Sequence, residues 1–344
     1  MTAKNKIIVL RFSAMGDVAM VASVLSEFVQ QNPDVEIIMV SRNAFKPFFD
    51  DIPNLSFHPI DPKTVHRGVV GLYRLFKELL KYNSYAVADL HDNLRSRVLS
   101  SFFRLAGIKI RRIDKGRAEK KALTRKENKI FRQLTPTVER YANVFKALGF
   151  GLKLSHQLQK RVKALPPALA GLLADKDIVS IGISPFAQHE YKVYPLSKME
   201  GVIGHLSALN YQVFIFGGGA DEDIIAEKWA MQFLNVKNLI GKFTLTEELA
   251  VISHLDLMLS MDSSGMHMAS LMGIPVVSVW GPTHPFAGFL GYGQNLQDCV
   301  QIEHPARPSS IYGNKPCLCG NESCISLIEP LVIVNKIKER LSYG

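Results

Sequence analysis

At 344 residues the chain is too long for one ordinary hydrophobic core and calls for two domains of middling size. A hydrophobic share of 47% with both signs of charge excludes wholesale disorder, and no apolar run reaches the ~18 residues of a membrane span. Four cysteines in such a length argue against a disulfide framework and for a cytoplasmic setting. The start, MTAKNKIIVLRF, runs straight into a strand and does not read as a secretory signal.

The net charge of +10 is lopsided. Residues 1–150 hold 26 Lys and Arg against 14 Asp and Glu, and the remainder is slightly acidic. The excess peaks between Arg95 and Arg132, with 14 basic and 3 acidic residues. Such a stretch is either a solvated helical face or a surface for an anionic partner: nucleic acid, an acidic membrane, or a phosphorylated substrate.

Taken in chain order, Lys6 to Leu10 is a short apolar strand, Arg11 to Asp17 a loop, and Val18 to Gln31 a helix ended by Pro33. Glu36 to Val40 is the next strand, and strand, helix and strand at this spacing make a βαβ unit of a parallel sheet. Tyr85 to Leu90 forms another strand, with His91 and Asp92 at its end. After a polar, Pro-containing stretch at Leu165 to Asp177 the same grammar restarts. Strands are expected at Ile178–Ile183, Tyr211–Phe216, Val236–Ile240, Leu257–Ser260 and Val276–Trp280, with a helix from Thr246 to His254. The expected fold class is α/β, two doubly wound halves with ligands at the C-terminal strand ends, along a shared cleft. Domains are expected at residues 1–165 and 166–328, with a final helix from Glu329 to Tyr343, in residues 329–344, packing back on the first domain.

Several loops carry candidate chemistry. Between the last two strands, Asp262, Ser263, Ser264 and Gly265 precede a short helix bearing Met266 and His267. Small polar residues there leave backbone N–H groups free at a helix N-terminus, which suits phosphate. In the first loop, Asp17 follows Ser13 and Gly16; it is either a helix N-cap or a general base. Lys192, after the first strand of the second half, is either an ordinary exposed lysine or a point charge for phosphate. Gly217-Gly218-Gly219 lacks the third glycine of a dinucleotide fingerprint, which disfavours an oxidoreductase; Asp221 or Glu222 is either a ribose ligand or a turn residue. Cys317-x-Cys319-x4-Cys324, with Cys299 upstream, lacks paired zinc knuckles and is expected to hold free or partly paired thiols and no metal.

LRFSAMGDVAMV, SPFAQHEYKVYPL, GKFTLTEELAVISHLDLML and MDSSGMHMASLMGIPVVSVWGPTHP, in this order, resemble the ADP-heptose:lipopolysaccharide heptosyltransferases of glycosyltransferase family 9. The resemblance implies a GT-B fold of two facing Rossmann-like domains. It implies Asp17 as catalytic base and Lys192, Asp262 to Gly265, Met266 and His267 around the donor sugar and diphosphate. Glu222 and Gly241 to Thr244 fall at the nucleoside. The first domain then takes the acceptor through Ser13 and basic residues including Arg95, Arg97, Arg117 and Lys120. One departure stands out: the family has Asp-Thr/Ser-Gly where this chain has Asp262-Ser263-Ser264-Gly265, and Ser264 adopts a positive φ less cheaply than glycine.

The reaction implied is inverting transfer of a heptosyl group from ADP-heptose to a hydroxyl of the phosphorylated lipid A inner core, without a metal cofactor. The work would be done at the inner face of the inner membrane, by a cytoplasmic, peripherally bound enzyme with no nucleic-acid partner. Two alternatives are a transferase of the same fold using another nucleotide sugar and a basic nucleic-acid-binding protein. The latter needs interleaved aromatics, and the basic stretch offers only Phe102, Phe103 and Phe131.

Overall fold

A computed structural model of the chain describes residues 5–165, 167–173 and 177–342. These form two compact units, each built on a parallel sheet. The first unit is Met1–Lys115 with Thr137–Ser155, and the second is Gly116–Pro136 with His156–Gly344.

The first unit runs β1 (Asn5–Leu10), α1 (Met15–Gln31), β2 (Val35–Arg42), β3 (Leu55–Ile60), α2 (Gly68–Leu80), β4 (Ala86–Asp89), α3 (Leu94–Leu105) and β5 (Lys109–Arg112). The chain then leaves through α4 (Arg117–Leu123), which belongs to the second unit, and returns as α5 (Thr137–Leu148). The strand order is β3-β2-β1-β4-β5, every neighbouring pair parallel. Ile7 to Leu10 are wholly buried, as expected of a central parallel strand covered on both faces. Ile8, Leu10, Ile38 and Val87 pack against Leu75 and Leu79 of α2 and Leu99 and Phe103 of α3. Phe28 of α1 meets Phe145 of α5, ring centroids 4.5 Å apart. The strand order reverses between β1 and β4, so the loops after these two strands flank the crevice where doubly wound sheets hold ligands.

The second unit continues through α6 (Pro167–Ala170), β6 (Ser180–Ser184), α7 (Leu196–Ala208), β7 (Gln212–Ile215), α8 (Ala220–Gln232), β8 (Val236–Asn238) and α9 (Leu245–Ile252). Then come β9 (Leu257–Met261), α10 (Ser264–Leu271), β10 (Val276–Val279), β11 (Cys299–Val300), the hairpin β12 (Leu318–Cys319) and β13 (Glu322–Ser323), and α11 (Pro330–Ser342). The six-stranded sheet has the order β11-β10-β9-β6-β7-β8, again all parallel. Its order reverses between β6 and β9, where Ser184 stands beside Ser260.

Two expected boundaries are corrected. A cut at residue 165 misses the excursion 116–136, which is rooted in the second unit. Leu123 and Leu134 share a small core with Ala287, and the Leu134 N–H donates to the Phe286 carbonyl at 2.9 Å. The last helix also packs within the second unit: Ile333, Val334 and Ile337 join its core beside Val202 and Leu206 of α7. Tyr343, its expected last residue, lies outside the described residues, as do the first four residues of the start read for a signal. Among the described residues, no helix is long and apolar enough to cross a membrane.

Candidate active site

In the first unit, Asp17 stands at the C-terminal edge of the sheet beside the β1/β4 reversal. Helix α1 begins at Met15, three residues earlier than the sequence reading places it, and its N-cap is Ala14, which makes no side-chain cap. Asp17 is therefore inside the first turn, and the N-cap alternative falls away. Its carboxylate forms an ion pair with the Arg11 guanidinium, and the Tyr141 hydroxyl donates to Asp17 Oδ1 at 3.3 Å. Arg11 is itself fixed: Nη1 donates to the Leu90 carbonyl at 2.9 Å, and its guanidinium lies over the Tyr141 ring. The Asp17 side chain keeps 24% of its surface accessible, so an incoming hydroxyl can reach it. A buried cation and a buried phenol thus orient a carboxylate whose other side faces out.

The loop after β4 completes this edge. His91 Nδ1 accepts the Phe12 N–H at 3.2 Å, and burial, reinforced by Arg11 and Lys115, pushes the imidazole down to about 3. His91 is therefore a neutral strut at ordinary pH. Asp89, fully buried, accepts the N–H groups of His91 and Asp92 and pairs with Arg112 at 3.1 Å. Ser13 is half-buried in the loop before α1.

In the second unit, the loops after β6 and β9 meet. Lys192 Nζ lies 3.0 Å from Asp262 Oδ2, with both side chains mostly buried. Ser263 is the N-cap of α10 in extended backbone, makes no side-chain cap, and no acidic residue follows in the first turn. No acidic side chain within the first turn therefore competes for the N–H groups at this helix start, an arrangement that suits an anion. Helix α8 is the contrast: Asp221, Glu222 and Asp223 crowd its first turn. Their carboxylates already complement that dipole, and Glu222 accepts the Gly218 N–H at 2.7 Å.

The expectation about Ser264 is corrected. Ser264 is the first residue of α10 and is not among the positive-φ residues, so the position asks nothing of glycine. The neighbouring Gly265 is the constrained one, for a different reason. A Cβ there would stand 2.4 Å from Ser184 Cβ and Oγ, because α10 starts directly on the end of β6. Met266 and His267 are buried within α10.

The remaining candidates fall in three places. Gly241 turns the chain after β8 at φ +69°, and Thr244 caps α9 in a capping box with Glu247. Glu248, next in that helix, is pushed up to about 7 by burial. On α3, Arg95 is exposed and Arg97 pairs with Asp92 at 2.8 Å. Arg117 and Lys120 belong to the second unit, correcting their assignment to an acceptor domain. Lys120 is buried with its ammonium 4.1 Å from the Phe289 ring centroid, as snorkelling stems allow.

The aromatics of the basic stretch are engaged as well. Phe103 is buried, Phe102 packs on Tyr73 and Phe76, and Phe131 meets His284 edge-on.

Arg11 and Tyr141 escaped the sequence reading. Arg11 had a local signal, a charge directly after a buried strand, whereas Tyr141 is 124 positions from its partner and had none.

A family model described as glycosyltransferase family 9 (heptosyltransferase) matches residues 72–313. The lipopolysaccharide core heptosyltransferase OpsX of Haemophilus influenzae is 25% identical over 289 residues, covering 82% of this chain and 81% of that protein. Among solved structures, a family 9 glycosyl transferase from Veillonella parvula covers 100% of this chain and 99% of its own, with a TM-score of 0.76 at 18% identity. The E. coli heptosyltransferase WaaC, solved with ADP, covers 97% and 99%, with a TM-score of 0.69 at 18% identity. The two doubly wound units are those of the GT-B fold. With more than half of its length matched by the family model, the chain belongs to glycosyltransferase family 9, the heptosyltransferases.

Proposed function

We propose that this enzyme transfers a heptosyl group from ADP-heptose to a hydroxyl of the lipopolysaccharide inner core, with inversion at the anomeric carbon. Family membership supports the reaction class, and the relatives' names support donor and acceptor. The observation that carries the reading is Lys192 against Asp262 at the start of α10, whose first turn holds no acidic residue, an arrangement that suits a diphosphate.

Asp17 takes the acceptor hydroxyl's proton as the oxygen attacks the anomeric carbon, while the sugar's bond to the diphosphate breaks. The charge that develops on the departing ADP falls on Lys192, which trades its partner Asp262 for phosphate oxygens, and on the N–H groups of Ser263, Ser264, Gly265 and Met266. These fixed positive groups do the work a divalent ion would otherwise do, so transfer needs no resident metal. Asp262, released from Lys192, and His267 border the donor sugar. Glu222, Gly241 and Thr244 face the nucleoside. Ser13, Arg95 and Arg97 meet the phosphorylated acceptor, which brings the enzyme to the cytoplasmic surface of the inner membrane.

A thermal-shift panel of nucleotide sugars tests the donor. ADP-sugars should raise the melting temperature, because preferential binding stabilises the folded state. A shift with UDP- or GDP-sugars and none with ADP-sugars would replace ADP-heptose by another donor on the same fold.

A further inference from the structure

The first unit carries an exposed apolar face that the transfer site does not use. Helix α2 buries Leu75, Phe76 and Leu79 in the core, yet its first turns leave Val69, Val70 and Tyr73 open to solvent. Val65, in the loop just before, is exposed too, and Leu94 at the start of α3 is 79% exposed. We propose that this end of α2 and α3 docks on the surface of an anionic lipid bilayer. The valines and Leu94 enter the headgroup layer, and the basic residues around them meet lipid phosphates.

Tertiary contacts hold these side chains outward. A Cβ at Gly71 would stand 2.4 Å from the His66 carbonyl carbon, so the loop lies directly on the helix. His66 is buried; its N–H donates to the Asp61 carbonyl at 2.8 Å, and its Nδ1 accepts the Asp61 N–H at 3.0 Å. Arg74 Nη1 reaches back to the Val65 carbonyl at 3.4 Å. Tyr73 rests edge-on against Phe102 of α3, ring centroids 5.5 Å apart, which joins the two helices into one surface. Contiguous exposed apolar side chains of this kind mark an interaction surface. Both helices follow strands of one parallel sheet, β3 and β4, so both start at the edge where Asp17 stands.

Charge selects the occupant. From Lys63 to Leu105 the chain has eight Lys and Arg against three Asp and Glu, and Asp89 and Asp92 among the three are buried. Lys63, Arg67, Arg74 and Arg95 are exposed and alternate with the apolar residues along the chain. A second copy of this face would bring like charges together, whereas an anionic bilayer complements them. The apolar part fits the same partner: aliphatic tips for the headgroup boundary, and a tyrosine with an apolar ring and a wet hydroxyl. Helix α8 in the second unit is the counterexample. Ile224 and Met231 are exposed on it, but it holds four acidic residues and one basic residue, the wrong sign for anionic lipid. The purpose of docking rests on the proposed function: a lipid-borne acceptor has to present its hydroxyl at the Asp17 edge.

Flotation of the full-length protein with vesicles needs neither donor nor acceptor, so its outcome is separate from that of heptosyl transfer. The wild type should bind vesicles of phosphatidylethanolamine with phosphatidylglycerol, and bind phosphatidylcholine alone at least tenfold more weakly. Val69→Ser combined with Val70→Ser should weaken binding to the anionic vesicles at least tenfold. Arg67→Ala should weaken it about fivefold, the worth of one basic residue at an anionic surface. Met231→Ser on α8 should leave it unchanged. All four positions are exposed, and unchanged melting temperatures check that the variants fold. The double variant should also transfer at least tenfold more slowly to acceptor embedded in vesicles, and at the wild-type rate to core sugar released from its lipid. Absent flotation, equal binding to both vesicle types, or a double variant that binds as the wild type does would overturn the proposal. Self-association broken by the double variant would overturn it too, by making the face a contact between copies.

Discussion

The edges of the two sheets solve different problems with different kinds of sequence. In the second unit the proposed anion site is assembled from two loops, each following a strand: Lys192 in the loop after β6, Asp262 and Ser263 directly after β9. In the first unit the carboxylate of Asp17 is defined by residues far apart in the chain, Arg11 and Tyr141, with His91 and Asp89 bracing the neighbouring loop. Binding a phosphate takes backbone donors and one charge, which local sequence encodes. Holding a base in one orientation takes tertiary contacts.

If this division is right, substitutions at the two edges should fail in different ways. Asp17→Asn should lower the transfer rate by about a thousandfold, within the range of a positioned general base, and leave the Kd for ADP within about twofold. Isothermal titration beside a product assay separates the two. Substantial residual turnover would remove Asp17 from the role, and lost ADP binding would break the contrast between the edges. Lys192→Ala should weaken ADP itself by about 10- to 100-fold, the worth of a hydrogen bond to a charged group. An unchanged Kd would move the diphosphate elsewhere.

The smallest expected effects come from the start of α10. Gly265→Ala should weaken ADP several-fold and lower the melting temperature, since the new methyl meets Ser184. Ser264→Gly, the change toward the family's pattern, should be nearly silent for ADP because Ser264 is already helical. The reverse ranking would make Ser264, and not Gly265, the residue on which the shape of this loop depends.

Much of this was legible in the residues themselves. Parallel strands buried on both faces read as unbroken apolar runs, such as Ile7 to Leu10, and loops of small polar residues mark the sheet edges where folds of this kind hold ligands. The ion pair of Lys192 with Asp262 was not: the resemblance grouped both around the donor diphosphate, and only the adjacency of β6 and β9 brings them within 3.0 Å. The excursion 116–136 was missed for a physical reason. Its charges read as surface, yet Lys120 lies on an aromatic ring and Lys129 in a cage of carbonyls, where long stems bury while the ammonium stays satisfied. The final helix was placed on the wrong unit because an amphipathic pattern says that a face is buried, not against what.

The most direct measurement is a single-turnover reaction with ADP-heptose and a purified lipid A inner-core acceptor, read by mass spectrometry. The expected result is an acceptor heavier by one heptosyl group, its new linkage inverted relative to the donor, with one ADP released per transfer. Release of ADP without an acceptor product, retention of the donor's configuration, or turnover only with a different nucleotide sugar would contradict it.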